Sequence, residues 1–232
     1  MLATLVLWQI PRYGDLILYP FSLLASYAHE MGHGLTAMLL GGRFESLELF
    51  SDGSGLAHWS GSLGRVGRAV VAAGGLMGPS VAGASLLVLS RHPSRSRALL
   101  VLIGVGMVLT AFWVARTGFG FTFLSAVGGA VGLAGWRLGR APATFLVQLI
   151  GAQLCIALFR DVRYMFSAGG AVGGSTHVSD SAVMAEALLL PYWFWGGLTA
   201  VASALTLALG LRVALKGPAR SRPPSNFDEE LT

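Results

Sequence analysis

Long apolar blocks, separated by short polar or glycine-rich breaks, run the length of this chain, and within a block there is no polar stripe. A helix that is apolar on all sides is buried in a large core or in a bilayer, and about 20 such residues suffice to cross one. Six spans are expected, at about residues 15–40, 65–90, 98–115, 119–136, 141–159 and 182–211. Gly41-Gly42 ends the first, as glycine commonly ends helices. The segment RFESLELFSDGSGLAHWSGS then breaks the pattern. Phe44, Leu47, Leu49 and Phe50 are mixed with polar residues, Asp52-Gly53 marks a turn, and Leu56 to Trp59 can return, which predicts a β-hairpin over residues 43–60. A basic loop, RHPSRSR, follows the second span, and a glycine- and serine-rich loop over residues 167–180 precedes the sixth. Residues 217–232 combine prolines and charges with little apolar content and are expected to form a disordered polar tail. The fold class is therefore an all-α polytopic membrane protein, one domain over residues 1–216, with a short hairpin between its first two helices.

Composition supports this picture. Charged residues make up 12% of the chain and apolar residues 54%, against about 25% charged in a soluble domain, and the mean hydropathy is +0.66. Lys216 is the only lysine among 16 basic residues. The basic residues sit at the ends of apolar blocks, where membrane topology puts them, so no nucleic-acid face is expected. With six spans, ten of them fall on the side of the termini and six on the other, which favours cytoplasmic termini. A lone cysteine, Cys155, excludes an internal disulfide and a cysteine-based zinc site. The opening MLATLVLWQI lacks a basic n-region and a small-residue cleavage site, so it does not read as a cleavable signal.

The first span contains HEMGH, residues 29–33. On a helix, positions four apart are separated by about 40° around the axis and one turn along it. His29 and His33 therefore share a face and can share a cation, while Glu30, about 100° from His29, can reach a water beside that cation without ligating it. Ionisable groups at membrane depth are costly and mark function by default. The pattern implies one zinc ion, with Glu30 as general base. Zinc needs a third protein ligand. Asp161, at the end of the fifth span and at a depth comparable to the histidines, is the leading candidate; it could equally pair with Arg160 or Arg163. Asp180 is the alternative, with His177 in reserve, although Asp180 also reads as the cap of the sixth helix. Glu186 lies two turns into that helix, and His58 reads as a surface histidine. Gly74, Gly75, Gly78 and Gly83 on the second span predict close helix packing. PYWFWGG, residues 191–197, reads as an interfacial anchor.

The run AHEMGHGLTAMLLGGRFESLEL, the GSG-containing hairpin and the following AAGGLMGPSVAG together resemble the site-2 protease family of intramembrane zinc metallopeptidases, and within it a small branch without appended domains. The resemblance covers about residues 25–85. It implies that His29, His33 and Asp161 are zinc ligands, that Glu30 is the catalytic base, and that Gly53, Ser54 and Gly55 in the hairpin help hold substrate in extended form. Asp161 stands in Phe-Arg-Asp-Val rather than the family's Leu-Asp-Gly context. The function so implied is a zinc-dependent endopeptidase that cleaves transmembrane or membrane-proximal segments of other proteins, expected in a bacterial cell membrane. The alternative is a membrane metal-binding or transport protein, or an inactive protease-like scaffold. A transporter would more commonly carry repeated halves, and a site that only binds metal has no use for Glu30.

Overall fold

The computed structural model describes residues 13–215, apart from the side chains of residues 13–15 and 158–161. In chain order the elements are α1 (Tyr13–Leu39), β1 (Arg43–Leu49), β2 (Gly55–Ser60), α2 (Gly64–Leu89), α3 (Pro93–Trp113), α4 (Gly118–Arg137), α5 (Arg140–Met165), β3 (Gly169–Val172), β4 (Ser175–Val178), α6 (Asp180–Leu188) and α7 (Tyr192–Leu215). Five helices, α2, α3, α4, α5 and α7, are long and apolar enough to cross a bilayer. At 27 residues α1 is just as long, and it is the helix that carries HEMGH. Large apolar side chains such as Leu102, Leu109, Phe112, Trp136, Leu205 and Leu209 face outward. A soluble surface would not tolerate so many together, whereas lipid does.

The predicted hairpin forms. Gly41 adopts a φ of 85° to turn the chain out of α1, and β1 pairs antiparallel with β2, Leu47 opposite Ala57 and Leu49 opposite Gly55. Phe44, Leu47 and Leu49 are buried. The turn is tied back to α1 by two side chains: Tyr19 Oη donates to the Ser51 carbonyl at 2.6 Å and Ser26 Oγ to the Gly53 carbonyl at 2.5 Å. The other edge of β1 is occupied too, since Leu47 N–H donates to the Val114 carbonyl and Arg116 N–H to that of Leu47. Among the described residues, β2 has only β1 as a strand neighbour.

Two expectations need correction. The loop over residues 167–180 folds into a second hairpin, β3–β4, turning on Gly173 and Gly174 with φ of 55° and 82°. Two successive residues at positive φ match the twist of paired strands, and Gly-Gly reaches that geometry without strain. The sixth span is not one helix. Leu189 takes a left-handed φ of 69° as the C-cap of α6, and Pro191 follows, so α6 and α7 are separate. The expected tail and MLATLVLWQI lie outside the described residues.

α2 is the hub of the bundle, packing against α1, α5, α6 and α7. Its contact with α1 is a backbone contact: a Cβ on Gly32 would lie 2.2 Å from the Gly74 carbonyl oxygen, and one on Gly78 2.4 Å from that of Ala28. Small residues let membrane helices approach this closely. α3 and α4 use the same device, since a Cβ on Gly104 would meet the Gly128 carbonyl oxygen at 2.4 Å. Gly104→Val is therefore expected to destabilise the fold by about 1–3 kcal/mol. A thermal melt in detergent should show a midpoint several degrees lower, while Gly106→Val, at a position with nothing within 4 Å of a Cβ, should melt like the parent.

Candidate metal centre

His29 and His33 stand one turn apart on α1 with ring centroids 4.8 Å apart. His33 Nδ1 lies 3.0 Å from the Val71 carbonyl oxygen on α2. A carbonyl can only accept, so Nδ1 carries the hydrogen and Nε2 presents its lone pair, which is how a metal-ligating histidine is held. Space for this ring exists because residue 75 is glycine: a Cβ there would sit 2.2 Å from His33 Nε2. The small-residue face of α2 thus does more than pack. It fixes one imidazole by a hydrogen bond and makes room for it.

A carboxylate closes the group. Asp180 Oδ2 is 3.0 Å from His29 Nε2, Asp180 Oδ1 is 3.2 Å from His33 Nε2, and the two Nε2 atoms are 3.1 Å apart. Tetrahedral zinc with bonds of about 2.0–2.1 Å holds neighbouring donors roughly 3.3 Å apart. Two imidazoles with one carboxylate also make the donor set of a catalytic zinc site, which leaves a position for water. The three residues therefore fit a zinc ion in chemistry and in size. Among the described residues they are the group of three or more that could hold a metal.

The carboxylate that meets the histidine pair is that of Asp180, whereas the sequence favours Asp161. Asp161 lies in the last turns of α5, and its side chain falls outside the described residues. Capping would have occupied Asp180, but Ser179 caps α6 instead. Its Oγ accepts from the Ala182 N–H at 3.2 Å and donates to the Ser167 carbonyl at 2.6 Å. Ser181 Oγ donates to the Met165 carbonyl at 2.7 Å. Both serines are fully buried, and they fasten the start of α6 to the end of α5 with Asp180 between them. Ser-Asp-Ser, with two small hydroxyls around the acid, is the signal that could have identified this segment.

Glu30 is buried at 6% exposure and sits beneath β2. A Cβ on Gly55 would lie 2.7 Å from Glu30 Cγ. A cleft of about 360 Å³ opens above the centre, lined by His29, Glu30, Ala57, Trp59, His177 and Val178 among others. One wall is the free side of β2 and another comes from β3–β4. A smaller cavity of about 160 Å³, lined in part by Ser22, Ser26, Ser54 and Tyr164, also reaches His29 and Glu30. The tips of the two hairpins meet where Gly173 N–H donates to Ser54 Oγ at 3.1 Å.

Of the three residues expected to hold substrate, Gly53 and Ser54 form the turn and its ties, and Gly55 lines the cleft. The Ser54 hydroxyl and N–H both donate to Asp52 Oδ1 and hold that carboxyl below its usual range. His177 lines the cleft without joining the triad. Glu186 is on α6, its carbonyl accepting from Arg65 at 3.4 Å, and His58 faces Glu48 at 3.6 Å on the half-exposed hairpin surface.

A family model described as Peptidase M50B-like matches residues 1–210, a stretch that includes His29, His33, Asp180 and Glu30. No curated protein and no solved structure matches the chain. The geometry around His33 makes its own prediction. Gly75→Ala should push the ring off the Val71 carbonyl and weaken zinc binding at least tenfold, the range seen when an outer hydrogen bond to a ligand is lost. Titration against a competing chelator measures this, with Gly106→Ala as the unaffected control.

Proposed function

The chain belongs to the Peptidase M50B-like family, a site-2 protease family, and is on that basis a membrane metallopeptidase of the site-2 protease type; we propose that it is a zinc-dependent endopeptidase cutting transmembrane or membrane-proximal segments of other proteins. The observation that carries this reading is the triangle of His29, His33 and Asp180, with donor atoms 3.0–3.2 Å apart and Glu30 buried beside it. In this proposal those three residues hold the ion. When bound, zinc supplies Lewis-acid polarisation of water and of the scissile carbonyl.

The chain's own residues do the rest. Glu30 takes the proton of the attacking water on its carboxylate and returns it to the leaving amide nitrogen, so one water is consumed and no proton is lost over the cycle. β2 covers Glu30 and keeps bulk water away, which strengthens electrostatic effects in the site. A peptide can be hydrolysed only where its backbone is accessible, and a membrane helix hides its amide groups in its own hydrogen bonds. The free side of β2, from Gly55 to Trp59, offers main-chain groups to an extended segment, which is recognition by strand addition. The glycine-flanked turn at Gly53 and Ser54 then serves as the anchor of that strand, and Gly55 as the point where substrate passes Glu30.

The test uses the full chain in proteoliposomes with a panel of single-span membrane proteins as substrates. Glu30→Gln should keep stoichiometric zinc and lose cleavage by about 10²–10⁴-fold, the contribution of a general base. His29→Ala should lose zinc, Asp180→Asn should bind it far more weakly than the parent, and Asp161→Asn should keep the parent's affinity. Normal cleavage by Glu30→Gln would refute the protease reading, and zinc loss in Asp161→Asn but not in Asp180→Asn would reverse the ligand assignment.

A further inference from the structure

Asp180 reaches the centre from an element distant in sequence from the histidines, and the accuracy of its placement needs a source. α6, which begins with it, packs on α2 and α7. The buried hydroxyls of Ser179 and Ser181 fix the main chain on either side, through the Ser167 and Met165 carbonyls. Neither serine fixes the carboxylate, which can still rotate about its own side-chain bonds. Tyr164 of α5 also reaches it, with Oη 3.5 Å from Asp180 Oδ2. Its ring also stands edge-on to His29, with centroids 6.2 Å apart at 72°, so one side chain borders two of the three donor residues. It lines both cavities that reach Glu30, where its hydroxyl is in range of Asp180 without being sealed in.

We propose that Tyr164 is a positioning residue for the metal centre: its phenol holds the Asp180 carboxylate in the orientation that faces the two Nε2 atoms. The inference rests on the zinc-site reading above. The Oη–Oδ2 separation of 3.5 Å is longer than the usual range of about 2.5–3.0 Å for an O–H···O bond, so the phenol restrains the carboxylate loosely and by its position beside it. Carboxylates that ligate metals are in turn hydrogen-bonded, and loss of such a partner typically costs ten- to a hundredfold in metal affinity or activity.

The experiment measures zinc Kd on the full-length protein in detergent by competition with a chelator, for the parent, Tyr164→Phe, Asp180→Asn and the double variant. Tyr164→Phe is expected to raise Kd ten- to a hundredfold, and activity lost at limiting zinc should return as free zinc is raised. In the Asp180→Asn background the same change should add less than threefold, because the group it positions is gone. Tyr164→Gln, which keeps a donor without adding a metal-ligating ring, should recover part of the affinity and serves as the second variant if Tyr164→Phe does not fold. An unchanged Kd in the folded variants, or a full-size effect persisting without the Asp180 carboxylate, overturns the proposal. A parent protein that binds no zinc, or binds it equally after His29→Ala, overturns the zinc reading itself, so the two failures are told apart.

Discussion

The contact between α1 and α2, where backbone meets backbone at Gly32, Gly74 and Gly78, is the constraint on which the rest of the structure depends. It brings the Val71 carbonyl within 3.0 Å of His33 Nδ1, and that hydrogen bond decides which nitrogen of the imidazole is free. A methyl group on any of these glycines would force the helices apart. In lipid there is no hydrophobic drive to pull two apolar helices together, so close packing of small residues and hydrogen bonds between helices must do it. Here one surface supplies both, and the polar bond it creates falls on a residue of the centre.

The same helix governs the other half of the site. α2 also packs against α5, α6 and α7, and α6 begins with Asp180. A helix outside the group of His29, His33 and Asp180 therefore sets the distance between the histidine pair and the acid. This division suits a bilayer protein. Burying three ionisable groups together is expensive unless each has a partner, and the apolar frame holds those partners in register.

Much of this is readable from the residues. The apolar blocks, the hairpin over residues 43–60 and the shared face of His29 and His33 follow from local pattern and helical period alone, and each has its counterpart in the fold. Features decided by tertiary contacts are not readable in that way. Asp180 before a helix has a sufficient local explanation as a cap, and only the buried hydrogen bonds of Ser179 and Ser181 show that its side chain is released for another use. Gly173-Gly174 resembles loose glycine-rich loop because the four-residue strands beside it are too short to show alternation. The break at Leu189 is hidden because leucine seldom adopts positive φ, and Pro191 stands at the head of PYWFWGG, which has a sufficient local explanation as an interfacial anchor.

A strand with an unpaired side is ordinarily a hazard, because it will accept another protein's backbone without discrimination and so seeds aggregation. Here that side of β2 borders an interior cleft, β3–β4 forms a facing wall, and the Gly173–Ser54 bond joins the two hairpins at their tips. Folded neighbours in the same bilayer therefore meet lipid-facing helix surfaces first, and only a segment that unwinds and enters the cleft reaches the open strand.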